Sequence, residues 1–315
     1  MRIDIWDEGE YGYRASYGFR PNIRTYVHED DMKHDCMLVI PGGGYCVVTP
    51  HEGEIVAKKF YDLGFNAFVL TYTTDITMSV PLKKQPMADA ARAVRVIRDK
   101  FAKDCKLIVA GFSAGGHVVG SLITHYAEIE DKKYPDISCR PDAAIFGYPV
   151  ITTGEFTHHW SVVALLGNEA TDEELDYFSV EKNVTSDTPP CFLWQTATDD
   201  LVPVENTYIM AKALKENGVK FAHYVFPEGH HGLSLPNEAF FTGKAGGEYT
   251  MEQVELAIDN VRKGTAVDVS EERRQELIAQ FDAPPMNFDN AEVPEFKDIL
   301  MWPELAADFL GKVLK

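Results

Sequence analysis

The sequence predicts an α/β fold: a mainly parallel sheet flanked by helices. Strand-like apolar runs alternate with helical patterns from residue 36 to about 226, and Gly-rich or polar stretches follow several of these runs directly. Such alternation implies a sheet covered on both faces, whose ligands bind at the carboxyl ends of the strands. The 315 residues suit one large domain or two small ones. We expect a single domain over 1–315, interrupted by an inserted, lid-like helical segment at about 235–300.

The first half of the chain gives three strand–helix pairs. Apolar runs predict strands at 37–40, 67–72 and 106–110, and the helices expected after them span 52–63, 87–101 and 114–127. In the second helix, Ala90, Val94, Ile97 and Phe101 recur at helical spacing, which predicts its buried face. The basic residues of that helix lie away from this face, and we expect them to be solvated: Arg92, Arg95, Arg98 and Lys100.

The second half continues the alternation with two interruptions. Strands are expected at 143–148, 192–196 and 221–226, with a helix at 204–217 that Gly218 would cap. The irregular stretch 150–188 predicts short helices at 160–166 and 172–178. After the last strand, helices are expected at 251–261, 270–281 and 303–314; Ser270 followed by two glutamates favours a helix start.

Charge and composition exclude several classes of partner. The formal net charge is -19 and the pI about 4.9, so the surface repels nucleic-acid phosphates and anionic lipid. The first ten residues are acidic, and the apolar runs are short, so we expect no secretory signal, no membrane span and a cytoplasmic location. The five cysteines form no C-x-x-C pair, which indicates reduced thiols. No cluster shows ligand spacing, so neither a metal nor another cofactor is expected.

The most informative motif is Gly111-Phe-Ser-Ala-Gly115, which fits G-x-S-x-G. It joins the strand at 106–110 to the helix at 114–127, and a serine on such a turn is the nucleophile elbow of the α/β-hydrolases. The alternative is a serine in an ordinary Gly-rich turn. Ser113 is therefore the candidate nucleophile.

A serine nucleophile needs a base, and the base needs an orienting acid. In α/β-hydrolases the acid and then the histidine follow the serine along the chain. Asp199 is the candidate acid because it is the first after a predicted strand; Asp200 competes, and one of the two would cap the next helix. His231 is the candidate base and His230 its rival, because Gly232 lets the loop bend and present His231.

An oxyanion hole needs backbone N–H groups aimed at the developing negative charge. One is expected from Ala114, directly after the nucleophile. The others are expected from Gly43 and Gly44, in the Pro-Gly-Gly-Gly-Tyr stretch after the first strand. A phosphate-binding loop is the alternative, but neither G-x-G-x-x-G nor a Walker lysine follows.

In order, these motifs resemble the α/β-hydrolase esterase family that includes bacterial acetylxylan esterases and feruloyl-type carbohydrate esterases. The resemblance runs from about 37 to 235. It is carried by PGGGY at 41–45, GFSAGGH at 111–117, GYPVI at 147–151, LLG at 165–167, TPP at 188–190, DDLVPVEN at 199–206 and FPEG at 226–229. It implies the triad Ser113, Asp199 and His231. The chain departs from many relatives at Thr73, Gln195 and Thr196, which bears on substrate detail.

The resemblance implies a serine carboxylesterase that removes short acyl groups, acetyl above all, from sugar hydroxyls of oligosaccharides such as acetylated xylo-oligosaccharides. Tyr45, Tyr148 and Trp160 could offer flat faces to sugar rings, whereas Trp194 is expected in the core. Two alternatives remain: a peptidase of the prolyl-oligopeptidase type, which would need a large gating domain, and a non-catalytic binding protein, which would be expected to lose a triad member. The segment 235–300 could cover the active site or build a homo-oligomer interface.

Overall fold

The computed structural model describes residues 1–283 and 296–315. In these ranges the chain forms an eight-stranded sheet in the order β1-β2-β4-β3-β5-β6-β7-β8. The strands are β1 (Arg2–Asp4), β2 (Asn22–Tyr26), β3 (Cys36–Ile40), β4 (Asn66–Thr71), β5 (Leu107–Phe112), β6 (Ala143–Gly147), β7 (Cys191–Thr196) and β8 (Phe221–Phe226). Strands β3 to β8 pair in parallel, which confirms the predicted fold class.

Nine of the ten described helices lie close to their predicted positions, and the short helix Glu238–Phe241 was not predicted. They are α1 (Glu54–Asp62), α2 (Gln85–Lys100), α3 (Ala114–His125), α4 (His159–Leu166), α5 (Asp172–Phe178), α6 (Glu205–Glu216), α7 (Glu238–Phe241), α8 (Glu252–Lys263), α9 (Glu271–Phe281) and α10 (Trp302–Val313). Gly218 follows α6 with φ +70°, as expected of a residue that ends a helix. None of the described helices is long and apolar enough to cross a membrane.

Both faces of the sheet are buried because strand side chains alternate between two cores. Leu38 and Ile40 of β3 pack in one core with α2 and α3, and Met37 and Val39 pack in the other with α1 and α10. This explains why the central strands are continuous apolar runs rather than alternating ones.

Two antiparallel strands extend the sheet beyond β4, and the sequence analysis did not predict them. Strand β2 pairs with β4 antiparallel, and β1 pairs with β2. Strand β2 is the short segment Asn-Ile-Arg-Thr-Tyr, in which only Ile23 is a buried aliphatic residue. A half-polar strand of this kind gives no apolar run in the sequence.

The prediction of a solvated basic face on α2 is wrong for Arg92 and Arg95, which are 3% and 6% exposed. Arg92 Nε lies 2.7 Å from an Asp131 carboxylate oxygen, and its guanidinium lies over the Trp6 ring. Arg95 donates to the carbonyl of Ile137. The residues that bury these two arginines belong to the N-terminal segment and to the loop after α3, which lie far from α2 in the sequence.

The segment after β8 packs against loops at the carboxyl ends of β3 and β4. Thr250 donates to the Val48 carbonyl at 2.6 Å, and Gln253 Oε1 accepts the Thr74 N–H at 2.9 Å. The part of the predicted insertion around Thr250 and Gln253 therefore lies at the edge of the sheet that carries Ser113, whereas 284–295 fall outside the described residues. Whether it closes over bound substrate stays a prediction. All five cysteines are free thiols.

Candidate active site

The turn at Ser113 is strained, and the flanking glycines make it possible. Ser113 has φ 51° and ψ -123°, between β5 and α3. A Cβ on Gly111 would lie 2.4 Å from the Gly115 carbonyl oxygen, and a Cβ on Gly115 would lie 2.1 Å from that of Ile40. Helix α3 thus meets β5 and β3 too closely for any side chain at these positions. Strain of this kind is typical of functional turns.

Ser113, His231 and Asp199 come together in one hydrogen-bonded chain. His231 Nε2 lies 2.8 Å from Ser113 Oγ, and His231 Nδ1 lies 2.8 Å from Asp199 Oδ2. The Asp199 side chain is fully buried and that of His231 is 11% exposed. The sequence placed these side chains at the ends of three strands, and the structure brings all three into contact.

The rival residues take other positions. Asp200 Oδ1 accepts the backbone N–H of His231 at 3.0 Å, and this hydrogen bond holds the pKa of Asp200 below its usual range. The His230 ring contacts the backbone carbonyl of His231 rather than Ser113. Gly232 has φ +89°, so the loop bends there as predicted.

The glycine loop after β3 lies against the nucleophile. A Cβ on Gly42 would lie 2.7 Å from Ser113 Cβ, and Gly43 and Gly44 follow with φ +115° and +62°. Among the hydrogen bonds of the described residues, none uses the N–H of Gly43, Gly44 or Ala114 as donor. That these N–H groups bind a negatively charged oxygen beside Ser113 stays a prediction.

Glu52 is a residue of this site that sequence reasoning missed. It is 3% exposed, accepts the Gly42 N–H at 2.6 Å and accepts the Tyr148 O–H at 2.9 Å. Burial raises the pKa of Glu52. Because Glu52 is the first residue of a predicted helix, the sequence indicated only an exposed acidic side chain. A glutamate eight residues after the last glycine of the loop was the available signal, but spacing alone does not show burial.

The predicted sugar-stacking role is wrong for Tyr45 and Tyr148, because both rings are only 2% exposed. Tyr45 O–H pairs with His117 Nδ1, and the Tyr148 ring packs on His231 at 4.9 Å between centroids. Trp160, in contrast, is 60% exposed at the start of α4. Trp194 is fully buried, as expected.

His158 is a second residue that the sequence analysis missed, just before α4. Its Nδ1 lies 2.8 Å from Ser161 Oγ, and Ser161 Oγ lies 4.0 Å from the place where a Cβ on Gly44 would stand. Burial and the nearby charge of His231 lower the pKa of His158. The start of α4 therefore borders the glycine loop, with Trp160 beside it.

Among the residues that the structure describes, one cluster away from this site has the composition of a metal site: His28, Asp30 and His34. Both ring nitrogens of His34 are engaged, by the Gly64 carbonyl at 2.7 Å and by Asp30 at 2.9 Å. These two acceptors raise the pKa of His34. The His28 and His34 rings also stack face to face, with 4.0 Å between their centroids. A metal ion in this cluster would have to replace at least one of the two hydrogen bonds of His34.

Comparisons with known proteins identify the family and the fold of the chain. The model of the prolyl oligopeptidase family matches residues 77–242. The chain is 60% identical over 259 residues to endo-1,4-beta-xylanase B of Butyrivibrio fibrisolvens; the match covers 80% of this chain but 41% of that protein, so the chain spans less than half of its length.

Two solved structures share the fold. The acetyl ester-xyloside bifunctional hydrolase from Caldicellulosiruptor lactoaceticus superposes with a TM-score of 0.70 at 34% identity, covering 81% of this chain and 97% of that one. A carboxylesterase from Lactobacillus plantarum WCFS1 has a TM-score of 0.62 at 22% identity over 93% of this chain and 92% of its own. At that identity the second likeness concerns the fold alone.

Proposed function

For this chain, which belongs to the prolyl oligopeptidase family and has the α/β-hydrolase fold, we propose the activity of a serine carboxylesterase. The observation that carries the proposal is the hydrogen-bonded chain from Ser113 through His231 to Asp199, set beside unpaired backbone N–H groups. A nucleophile, a base, an orienting acid and oxyanion donors are the parts that acyl transfer requires.

The reaction follows from these positions. Ser113 Oγ attacks the ester carbonyl while His231 Nε2 takes the hydroxyl proton. Asp199 holds His231 in the tautomer that leaves Nε2 free to accept, and it stabilises the imidazolium that forms. The N–H groups of Gly43, Gly44 and Ala114 bind the oxyanion. His231 then gives its proton to the leaving alcohol, and water repeats the sequence on the acyl-enzyme to release the acid. Over one cycle, one ester and one water become one alcohol and one acid, and the protein returns to its starting state.

For substrate we propose short acyl esters, acetyl above all, on sugar hydroxyls of xylo-oligosaccharides. Two relatives support this by their names: a xylanase at 60% identity and an acetyl ester-xyloside hydrolase at 34%. Trp160 is 60% exposed and precedes Ser161, which borders Gly44, and we propose that the alcohol part of the ester lies on this side of the glycine loop. Flat aromatic faces of this kind suit the apolar faces of sugar rings.

The test is acetate release from acetylated xylo-oligosaccharides by the wild type and by Ser113→Ala, with a series of p-nitrophenyl esters of rising acyl length. We expect the wild type but not Ser113→Ala to release acetate. We also expect the rate of p-nitrophenyl ester hydrolysis to fall as the acyl group becomes longer. Aryl-ester activity without acetate release would remove the sugar assignment. Faster cleavage of an N-acylated peptide p-nitroanilide than of any ester would favour the peptidase alternative.

A matched pair of variants tests the sugar platform. Trp160→Ala should raise KM for the acetylated oligosaccharide about 10-fold and leave p-nitrophenyl acetate hydrolysis within about twofold, because the aryl ester has no sugar to stack. Tyr208→Ala is the control: Tyr208 is also an exposed aromatic, 47% accessible, but contacts His223 on β8. Equal effects of the two variants would exclude a platform at Trp160.

A further inference from the structure

We propose that Glu52 is a positioning residue that holds the glycine loop (residues 41–45, here the oxyanion loop) and supports the charged form of His231 during catalysis. The inference rests on the proposed esterase function and assigns to its site one further residue, a buried carboxylate. Among the described residues, the hydrogen bonds of Glu52 go to Gly42 and Tyr148 and not to Ser113, so Glu52 acts through the groups that it holds.

Both oxygens of Glu52 accept hydrogen bonds, and these bonds favour the ionised form against the burial that raises the pKa of the group. One oxygen accepts the Gly42 N–H at 2.6 Å and the other accepts the Tyr148 O–H at 2.9 Å, in a site where Glu52 is 3% exposed. Each oxygen of the Glu52 side chain thus accepts one hydrogen bond, as both oxygens of a carboxylate can. A buried carboxylate that spans two elements in this way connects the loop after β3 to Tyr148 after β6.

The first connection fixes the oxyanion loop. Gly42 is packed so tightly that an added Cβ would lie 2.6 Å from the Phe112 carbonyl oxygen and 2.9 Å from Glu52 Oε2. At the other end of the loop, Tyr45 O–H pairs with His117 at 2.7 Å. Gly43 and Gly44 lie between these two anchors, so the direction of their N–H groups depends on both. Oxyanion donors must stand within hydrogen-bond range of the reacting oxygen, and a small displacement weakens them.

The second connection reaches His231. Tyr148 has φ 35°, an uncommon backbone conformation for a tyrosine, and its ring packs on the imidazole at an interplanar angle of 72°. The bond to Glu52 holds that ring in place. When His231 takes the proton of Ser113 it becomes positive, and a buried carboxylate close to it favours this state more than water would.

Other charged or titratable groups also face this pair, and they are common to all variants compared below. They are Asp199, Asp200, His158, Tyr72 and His51. Because these groups stay unchanged, a difference between the wild type and a Glu52 variant reports Glu52.

The experiment is kinetics of p-nitrophenyl acetate hydrolysis by Glu52→Gln across pH 5 to 9. Glutamine keeps the size and can still accept from Gly42, but it removes the charge. We expect kcat to fall about 10- to 100-fold with KM within about twofold. The pH at which kcat/KM reaches half its plateau should fall by about 0.5 or more, because the imidazolium loses a stabilising charge.

Glu54→Gln is the matched control. Glu54 also accepts a glycine N–H, that of Gly247 at 3.0 Å, but from α1 and away from Ser113. It should match the wild type in kcat and in the pH midpoint. If Glu52→Gln fails to fold, as judged by thermal melting, Tyr148→Phe keeps the ring and removes one bond to Glu52; it should lower kcat several-fold at unchanged KM.

The outcomes separate this inference from the function on which it rests. A wild type without Ser113-dependent hydrolysis refutes the esterase proposal and the inference with it. An active wild type with Glu52→Gln equal to Glu54→Gln refutes the inference alone. If Glu52→Gln lowers kcat but leaves the pH midpoint of kcat/KM unchanged, Glu52 has only a packing role, and this outcome also refutes the inference.

Discussion

Replacing Asp199 by asparagine should abolish most turnover, although the two side chains have the same shape. Asp199 Oδ1 accepts the N–H groups of Leu201 at 3.0 Å and Val202 at 2.8 Å, so the asparagine carbonyl must take that place. The amide NH₂ then stands where Oδ2 was, 2.8 Å from His231 Nδ1. A donor there forces Nδ1 to accept, which puts the imidazole proton on Nε2.

That tautomer points an N–H at Ser113 Oγ, 2.8 Å away, and cannot take the serine proton. The corresponding change in a serine protease triad lowers kcat about 10⁴-fold, or about 5.4 kcal/mol in activation free energy. We expect about 10³- to 10⁴-fold in kcat for p-nitrophenyl acetate, with KM little changed.

Asp200→Asn is the control for this prediction. Asp200 accepts the His231 N–H at 3.0 Å, and an asparagine carbonyl can do the same. The kcat of Asp200→Asn should therefore fall by no more than about threefold, because substitutions of exposed residues usually have small effects. Thermal melting of both variants checks that they fold. Equal small losses for the two variants would refute the assignment of Asp199, and a larger loss for Asp200→Asn would reverse it.

Two further predictions concern the framework of the site. Gly115→Ala would place a Cβ 2.1 Å from the Ile40 carbonyl oxygen, so the free energy of unfolding in urea should fall by about 2 kcal/mol or more. In the control Gly12→Ala the added Cβ meets nothing within 4 Å, and the free energy of unfolding should change by no more than about 0.5 kcal/mol. Equal losses in the two variants would contradict the close packing at Gly115. Burial lowers the pKa of His117 to about 4, so its contribution to stability is lost as pH falls from its unfolded value near 6.5 through 4. The stability difference between wild type and His117→Gln should therefore shrink by about 3 kcal/mol from pH 7 to pH 4, and a constant difference would refute this.

The triad positions were accessible from the sequence because topology fixes them. Parallel strands bring their carboxyl ends to one edge, so Ser113, Asp199 and His231 share that edge wherever the helices between them end. The choice of His231 over His230 followed from Gly232, whose positive φ turns the loop.

Burial of single side chains was not accessible in the same way. Tyr45 and Tyr148 follow strands, as a sugar platform would, yet each O–H finds a buried partner, so the rings turn inward. Glu52 looks like the first residue of an exposed helix until the Gly42 N–H and the Tyr148 O–H close around it. Arg92 is covered by Trp6 and Asp131, which no local pattern connects with α2. Such contacts depend on residues far apart in the chain.

The most direct test of the central claim is covalent labelling of the nucleophile. The protein is treated with a fluorophosphonate, residual esterase activity is followed over time, and the labelled peptide is identified by mass spectrometry. The account predicts one adduct per chain on Ser113, formed in step with the loss of activity and absent from Ser113→Ala. An adduct on another residue, or full activity after stoichiometric labelling of Ser113, would contradict it.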